Sequence, residues 1–138
     1  AAGPSTGRAP TEVALRERVN RSAVDRLGLA GHESVLEVGC GCGGALGPIL
    51  RGTRGFVAGV ELSDVMLEET RRRFRRALKR GRLELKRGEA AAIPYGDERF
   101  DHALATQTIH FWSDPVAGLR ELVRVLRPYA AAVKSEPR

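Results

Sequence analysis

Apolar positions switch between helical and strand spacing along the chain. From Thr11 the pattern predicts a helix, with Glu12 in its first turn and Val13, Leu15, Val19, Ala23 and Leu27 among its apolar positions. Gly28 is placed to end it. Val35-Leu36-Glu37-Val38 is a short run of the kind that forms a buried strand, stopped by the cluster from Gly39 to Gly44. A weak helix follows through Leu46, Ile49 and Leu50, kept short by Pro48, which lacks a backbone donor. Phe56 to Glu61 reads as a second strand. Ser63 or Asp64 caps a helix running to about Lys79, with Leu67, Phe74 and Leu78 as its apolar stripe. Arg82 to Arg87 predicts a third strand, with Leu83 and Leu85 on one side, and Phe100 to Thr106 a fourth. Asp114-Pro115 opens a last helix, expected to bury Leu119, Leu122, Val123 and Leu126, and Arg127-Pro128 ends it. Strands alternating with helices predict an α/β, Rossmann-like parallel sheet of four to five strands, flanked by helices through right-handed crossovers.

Composition narrows the class. The 138 residues suit one domain from residue 11 to 138 behind a loose Gly/Pro-rich arm, residues 1–10. Hydrophobic residues at 42% and charged residues at 29% exclude a disordered chain. No apolar run approaches the roughly 18 residues of a membrane span. The net charge of +6 belongs to one segment: Arg71 to Arg87 holds ten basic residues and one acidic. Elsewhere the acids outnumber the bases. Lacking interleaved aromatics to stack bases, that segment reads as a solvated helix face, and a nucleic-acid partner is not expected. Cys40 and Cys42 are too few for a closed zinc site and too close for an unstrained bridge. They predict no metal and, by cysteine usage, a reducing, cytoplasmic setting.

In such a sheet, ligands bind beyond the carboxyl ends of the strands, where the strand order reverses. The glycine loop lies at that end of the first strand, where absent Cβ atoms let a backbone approach a ligand closely. The helix after it would turn N–H groups toward that ligand. Glu61 ends the second strand, placed to accept both hydroxyls of a ribose. Gly39, Gly41 and Gly44 also satisfy the dinucleotide fingerprint, so a nicotinamide-dependent oxidoreductase is a weaker alternative. Glu37 separates the two. A pyrophosphate beside it would meet like charge, whereas an ammonium or sulfonium would be attracted.

Val35-Leu36-Glu37-Val38-Gly39-Cys40-Gly41-Cys42-Gly43 resembles the first motif of class I S-adenosylmethionine-dependent methyltransferases. The resemblance continues through Val60-Glu61-Leu62-Ser63, Gly88-Glu89-Ala90 with Ile93-Pro94-Tyr95, Phe100 to Ala105, and Leu119 to Pro128. It is strongest to the small-molecule, type 11 branch, which includes quinone-biosynthesis enzymes. What it implies is methyl transfer to a small-molecule acceptor by direct in-line displacement, leaving S-adenosylhomocysteine. Glu37 with the loop Gly39, Cys40 and Gly41 would hold the methionine part of the cofactor. Glu61 would take the ribose hydroxyls, Leu62 would pack on the adenine, and Glu89 with Ala90 would meet the adenine edge. Thr106 and Gln107 would line the methionine end and face the acceptor. Where the attacking atom carries a proton of high pKa, His110 is the candidate catalytic base, with Tyr95 and Trp112 as acceptor walls. His32 and His102 take no role. The alternative is a protein that holds the cofactor without turnover.

The resemblance weakens at the end of the chain. After Pro128 the family continues with two glycines and three further strands, whereas Tyr129-Ala130-Ala131-Ala132-Val133 offers at most a short fifth strand at residues 130–133. The chain is therefore expected to lack the family's last strands. Strand four would then be an apolar edge, to be hidden by self-association, a partner chain or the tail.

Overall fold

The computed structural model describes residues 9, 11–41, 43–106 and 108–128. The arm before residue 9, Cys42, Gln107 and the tail with its expected fifth strand lie outside the described residues.

Thr11 starts α1 (Glu12–Asp25) by accepting the Ala14 N–H on its hydroxyl at 3.1 Å. Gly28 closes the turn beyond it at φ 60°. Next come β1 (Val35–Val38), α2 (Leu46–Gly52), β2 (Val57–Glu61), α3 (Asp64–Arg73), α4 (Arg75–Lys79), β3 (Leu83–Arg87) and β4 (His102–Leu104). A 3₁₀ turn at Ile109–Phe111 leads to α5 (Pro115–Val125). Ser63 caps α3 through the Met66 N–H, and Asp114 caps α5 through the Ala117 N–H.

The four strands form one parallel sheet in the order β3-β2-β1-β4, so the order reverses across β1 and the expected α/β Rossmann-like architecture is present. Glu37 stands opposite Gly59 on one side and Leu104 on the other. Every residue of β1 is buried, because helices cover both faces. One face packs Val35, Val57 and Leu83 under α1 to α4 through Val24, Leu46 and Leu67. The other packs Leu36, Val60 and Phe100 against Val125 of α5 and Ile93 of the loop before β4.

Several expectations are corrected. The basic segment is two helices broken at Phe74 (φ −110°, ψ 31°), whose ring packs against the glycine loop at Gly43. Strand four is shorter than Phe100 to Thr106, because Phe100 belongs instead to a parallel bridge with Leu126. Leu119 and Val123 are 51% and 73% exposed, and α5 buries Gly118 and Val125 in their place. The reason is steric: Gly118 has no side chain, so the Trp112 ring rests on it where a Cβ would stand only 2.5 Å away. Tyr95 turns away from the carboxyl ends of the strands and does not line the ligand cleft described below. Its ring sits edge-on to Phe56 and Phe100, and its hydroxyl donates to Glu84 at 2.7 Å.

Two polar clasps hold the ends of this sheet. Arg124 donates to the carbonyls of Ile93 and Tyr95 and to the carboxylates of Glu121 and Asp97, strapping α5 to the loop before β4. Glu33, buried just before β1, accepts the N–H groups of Ala30, Gly31 and His32 at 2.5–2.8 Å. Burial works to raise its pKa, but these donors outweigh it and hold the carboxyl below the ordinary carboxylate value. A depressed folded pKa gives stability that is present above the unfolded value and lost as pH falls through the folded one. Glu33→Gln should therefore cost about 1.5–3 kcal/mol at pH 7, the scale of hydrogen bonds to a charged group. Urea unfolding at pH 7 and pH 3 checks this: the gap between wild type and variant should narrow at the lower pH.

Candidate functional site

The loops that follow β1, β2 and β4 all emerge at one end of the sheet, around a cleft of about 550 Å³. Val38 and Gly39 form its base, Glu61, Leu62 and Ser63 one wall, and Gly88 to Ala91 another. The 3₁₀ turn and the start of α5 close it with Thr108, Phe111, Trp112, Ser113 and Asp114. Gly39 turns at φ 72° and lies so close to Thr108 that an added Cβ would stand 2.6 Å from its methyl group. Only glycine fits both constraints.

Beneath the loop lies Glu37, 2% exposed, with an Oε1 that finds no hydrogen-bond partner. Burial first, and the neighbouring Glu61 carboxylate second, push its pKa well above the ordinary value. An unpartnered carboxyl in the middle of a buried strand costs stability unless something meets it. The oxygens of Glu61 accept the N–H groups of Gly41 and Ser63, both at 2.9 Å, which fixes the carboxylate at the cleft wall with lone pairs left for a ligand. Thr70, fully buried on α3, donates to the Gly41 carbonyl at 2.6 Å and so ties the loop down from behind.

Of the residues singled out in the sequence, Gly39, Glu61, Leu62, Glu89, Ala90 and Trp112 line this cleft. Glu37, buried beneath the lining, Cys40 and Gly41 do not. The Cys40 side chain is buried beside Gly59, and the N–H groups of Gly39 and Cys40 both donate to the Val60 carbonyl, at 2.7 and 3.1 Å. The loop's first donors are therefore used within the fold, and what it offers a ligand is close approach rather than an N–H nest. Thr106 stands apart from the cleft lining, where its hydroxyl donates to Asn20 of α1 at 3.3 Å. His110 is exposed on the 3₁₀ turn, its ring centroid 4.0 Å from that of Phe111, and is not among the lining residues. Gln107 lies outside the described residues.

Sequence reasoning missed Thr108, Phe111 and Asn20. Phe111 could have been found, since an apolar-aromatic run directly after the last strand of such a sheet is well placed to meet a ligand. Asn20 could not: its amide reaches Gly44 and Thr106 only through the docking of α1. Among the described residues no three His, Cys, Asp or Glu gather as a metal-binding group, and no helix is long and apolar enough to cross a membrane.

Comparison with known proteins shows which family carries this arrangement. A family model described as a methyltransferase domain matches residues 36–133. Methyltransferase GfsG of Streptomyces halstedii is 33% identical over 81% of this chain and 40% of its own length. O-methyltransferase cnsE of Penicillium expansum is 29% identical over 86% of this chain and 43% of its own. The chain thus spans about two-fifths of these curated relatives. Among solved structures, the [4+2]-cyclase SpnF superposes with a TM-score of 0.78 at 30% identity, covering 90% of this chain and 45% of its own. A methyltransferase from Aquifex aeolicus, at TM-score 0.70 and 22% identity, covers 86% of this chain and 69% of its own and shares the fold. A glycine loop over a buried strand acid, a second acid ending the next strand and a family match across most of the described fold lead to one conclusion: this chain belongs to the class I S-adenosylmethionine-dependent methyltransferases, in the type 11 branch.

Proposed function

We propose that the cleft binds S-adenosylmethionine and that the protein transfers its methyl group to a small-molecule acceptor. The observation that carries this reading is the buried, unpartnered Oε1 of Glu37 beneath the glycine loop, beside Glu61. An ammonium there would supply the missing partner. A dinucleotide would instead bring its pyrophosphate against two carboxylates, which weighs against the nicotinamide reading.

When bound, the cofactor would supply an activated methyl group on a sulfonium, a good leaving group for displacement by an acceptor's lone pair. The residues of the chain bind and orient. Glu61, already fixed by two backbone N–H groups, accepts the ribose hydroxyls. Leu62, 54% exposed on the cleft wall, covers the adenine, and Glu89 with Ala90 meets its edge. Gly39 lets the methionine part lie against β1. Alignment of this kind supplies most of what such a transfer needs from a protein. Thr106 and Gln107 remain candidates for the acceptor side. His110, exposed on the 3₁₀ turn and outside the cleft lining, stays the candidate base for an acceptor whose hydroxyl reaches that turn.

A second reading is that the chain holds the cofactor without methyl transfer. It is favoured by one observation: SpnF, the solved relative at 30% identity, is a [4+2]-cyclase. Transfer of labelled methyl from the cofactor to any product separates the two.

Calorimetric titration tests the main reading. S-adenosylmethionine should bind and NAD should not, and tight NAD binding with no response to S-adenosylmethionine would end it. Glu61→Ala should weaken cofactor binding by roughly 1.5–3 kcal/mol, and Glu37→Ala by at least as much.

A pH dependence follows from the raised pKa of Glu37. A cationic ligand prefers the ionised carboxyl, so affinity should climb as pH rises through that pKa, with a proton released on binding. The ligand-free protein should behave oppositely. A folded pKa above the unfolded value means that stability is lost as pH rises from about 4.5 toward the folded pKa. Glu37→Gln should therefore flatten the stability profile while weakening the cofactor. Calorimetry in buffers of different ionisation enthalpy, beside thermal melts across pH, measures both.

His110→Gln should lower kcat by about 10²–10⁴-fold for an acceptor of high pKa and leave cofactor affinity unchanged. Stopped-time product assays beside binding titrations distinguish this from a general loss of fold.

A further inference from the structure

We propose that the acceptor is an uncharged molecule with a flat apolar body that lies against Phe111, and that acceptors bearing a carboxylate or phosphate are turned away. This rests on the cofactor reading above and names the acceptor class for the same cleft.

Phe111 carries the first half of the argument. At 79% it is the most exposed large hydrophobic side chain among the described residues. Single exposed apolar residues are ordinary on a protein surface. This one lines a concave cleft at the carboxyl end of the sheet, next to Trp112, whose own ring is seated on Gly118. A rigid aromatic face on the wall of a ligand cleft is suited to covering a planar partner by stacking or edge contact.

Charge carries the second half. The charged residues among the described cleft lining are Glu61, Glu89 and Asp114, all acidic, with no Lys, Arg or His. Glu37 lies just beneath. The cofactor brings one net positive charge, so the cleft stays negative when it is loaded. Sites that hold carboxylates or phosphates use guanidinium groups, ammonium groups or free helix N-termini. None is offered. The N-terminus of α5 opens beside the cleft, but Asp114 already accepts the Ala117 N–H at 3.0 Å and Pro115 has no N–H to give. Arg87, behind Leu62, donates to that residue's carbonyl at 3.2 Å and pairs with Asp64. The basic residues of α3 and α4 belong to helices that leave this end of the sheet. An anionic acceptor would thus lose its hydration and meet like charge.

The test uses the full chain loaded with S-adenosylhomocysteine, whose affinity is measured first by calorimetry. Equilibrium dialysis then compares 2-naphthol with 6-hydroxy-2-naphthoate, which share a ring system and differ by one carboxylate. The expected result is at least tenfold tighter binding of 2-naphthol. Phe111→Ala should weaken 2-naphthol at least fivefold with the S-adenosylhomocysteine affinity unchanged. Glu89→Gln should narrow the preference between the two probes. Equal or tighter binding of the naphthoate, binding of neither probe, or a Phe111→Ala variant that holds 2-naphthol as well as wild type overturns the acceptor class and leaves the cofactor reading standing. Failure of S-adenosylhomocysteine to bind at all overturns both.

Discussion

Parallel pairing of β1 on both its edges is the constraint from which the cleft follows. β1 is hydrogen-bonded to β2 on one side and β4 on the other, so the loops that leave all three strands emerge side by side. With helices on both faces, each of the four residues of β1 is buried. The loop after it must therefore turn at once. Gly39 makes that turn, and its N–H and that of Cys40 donate to the carbonyl of Val60 at the end of β2. The first two strands are thus locked together where a ligand would sit. Thr70 from α3 then holds the loop at Gly41, and Thr108 from beyond β4 packs on it at Gly39.

The same burial puts Glu37 in conflict with its surroundings. A carboxyl group in the centre of a parallel sheet lowers stability, and here one of its oxygens has no partner. Burial and the Glu61 carboxylate both favour the protonated form. A local rule broken at the focus of three strand ends is the kind of departure expected where binding, rather than stability, sets the residue. Its neighbour Glu61 shows the opposite solution, with two backbone donors holding the charge in place. Glu61, with Glu89 and Asp114 on the lining, gives the cleft its negative character.

On the far side of the cleft, α5 is tied in by Arg124, which joins the loop before β4 to Glu121 and Asp97. That clasp, with Val125 fully buried, fixes the helix axis. Gly118 then leaves the space that Trp112 occupies, and Phe111 is held out at the rim. The helix carries a second, outward apolar stripe in Val116, Leu119 and Val123. Beyond it, Leu126 pairs with Phe100 beside β4, so the chain reaches residue 128 running parallel to that strand.

By itself the sequence determined the alternation of strands and helices, the parallel α/β class and the identity of the two strand acids, because those rest on local period and on short motifs. Val35 to Val38 is unbroken apolar around a single acid, and Asp114-Pro115 is a helix start that needs no tertiary help. The tertiary structure alone decided what depends on distant packing. Which side of α5 is buried could not be read from a helix whose apolar positions run round more than one face; Gly118 and Trp112 settled it. The break at Phe74 coincides with its ring lying against Gly43, a contact between segments far apart along the chain. Tyr95 went to the Phe56–Phe100 cluster because its hydroxyl found Glu84 on β3. Asn20, Thr108 and Phe111 entered the picture only once α1 and the turn after β4 were set against the loop, since proximity across a folded sheet leaves no trace in the spacing of residues along the chain.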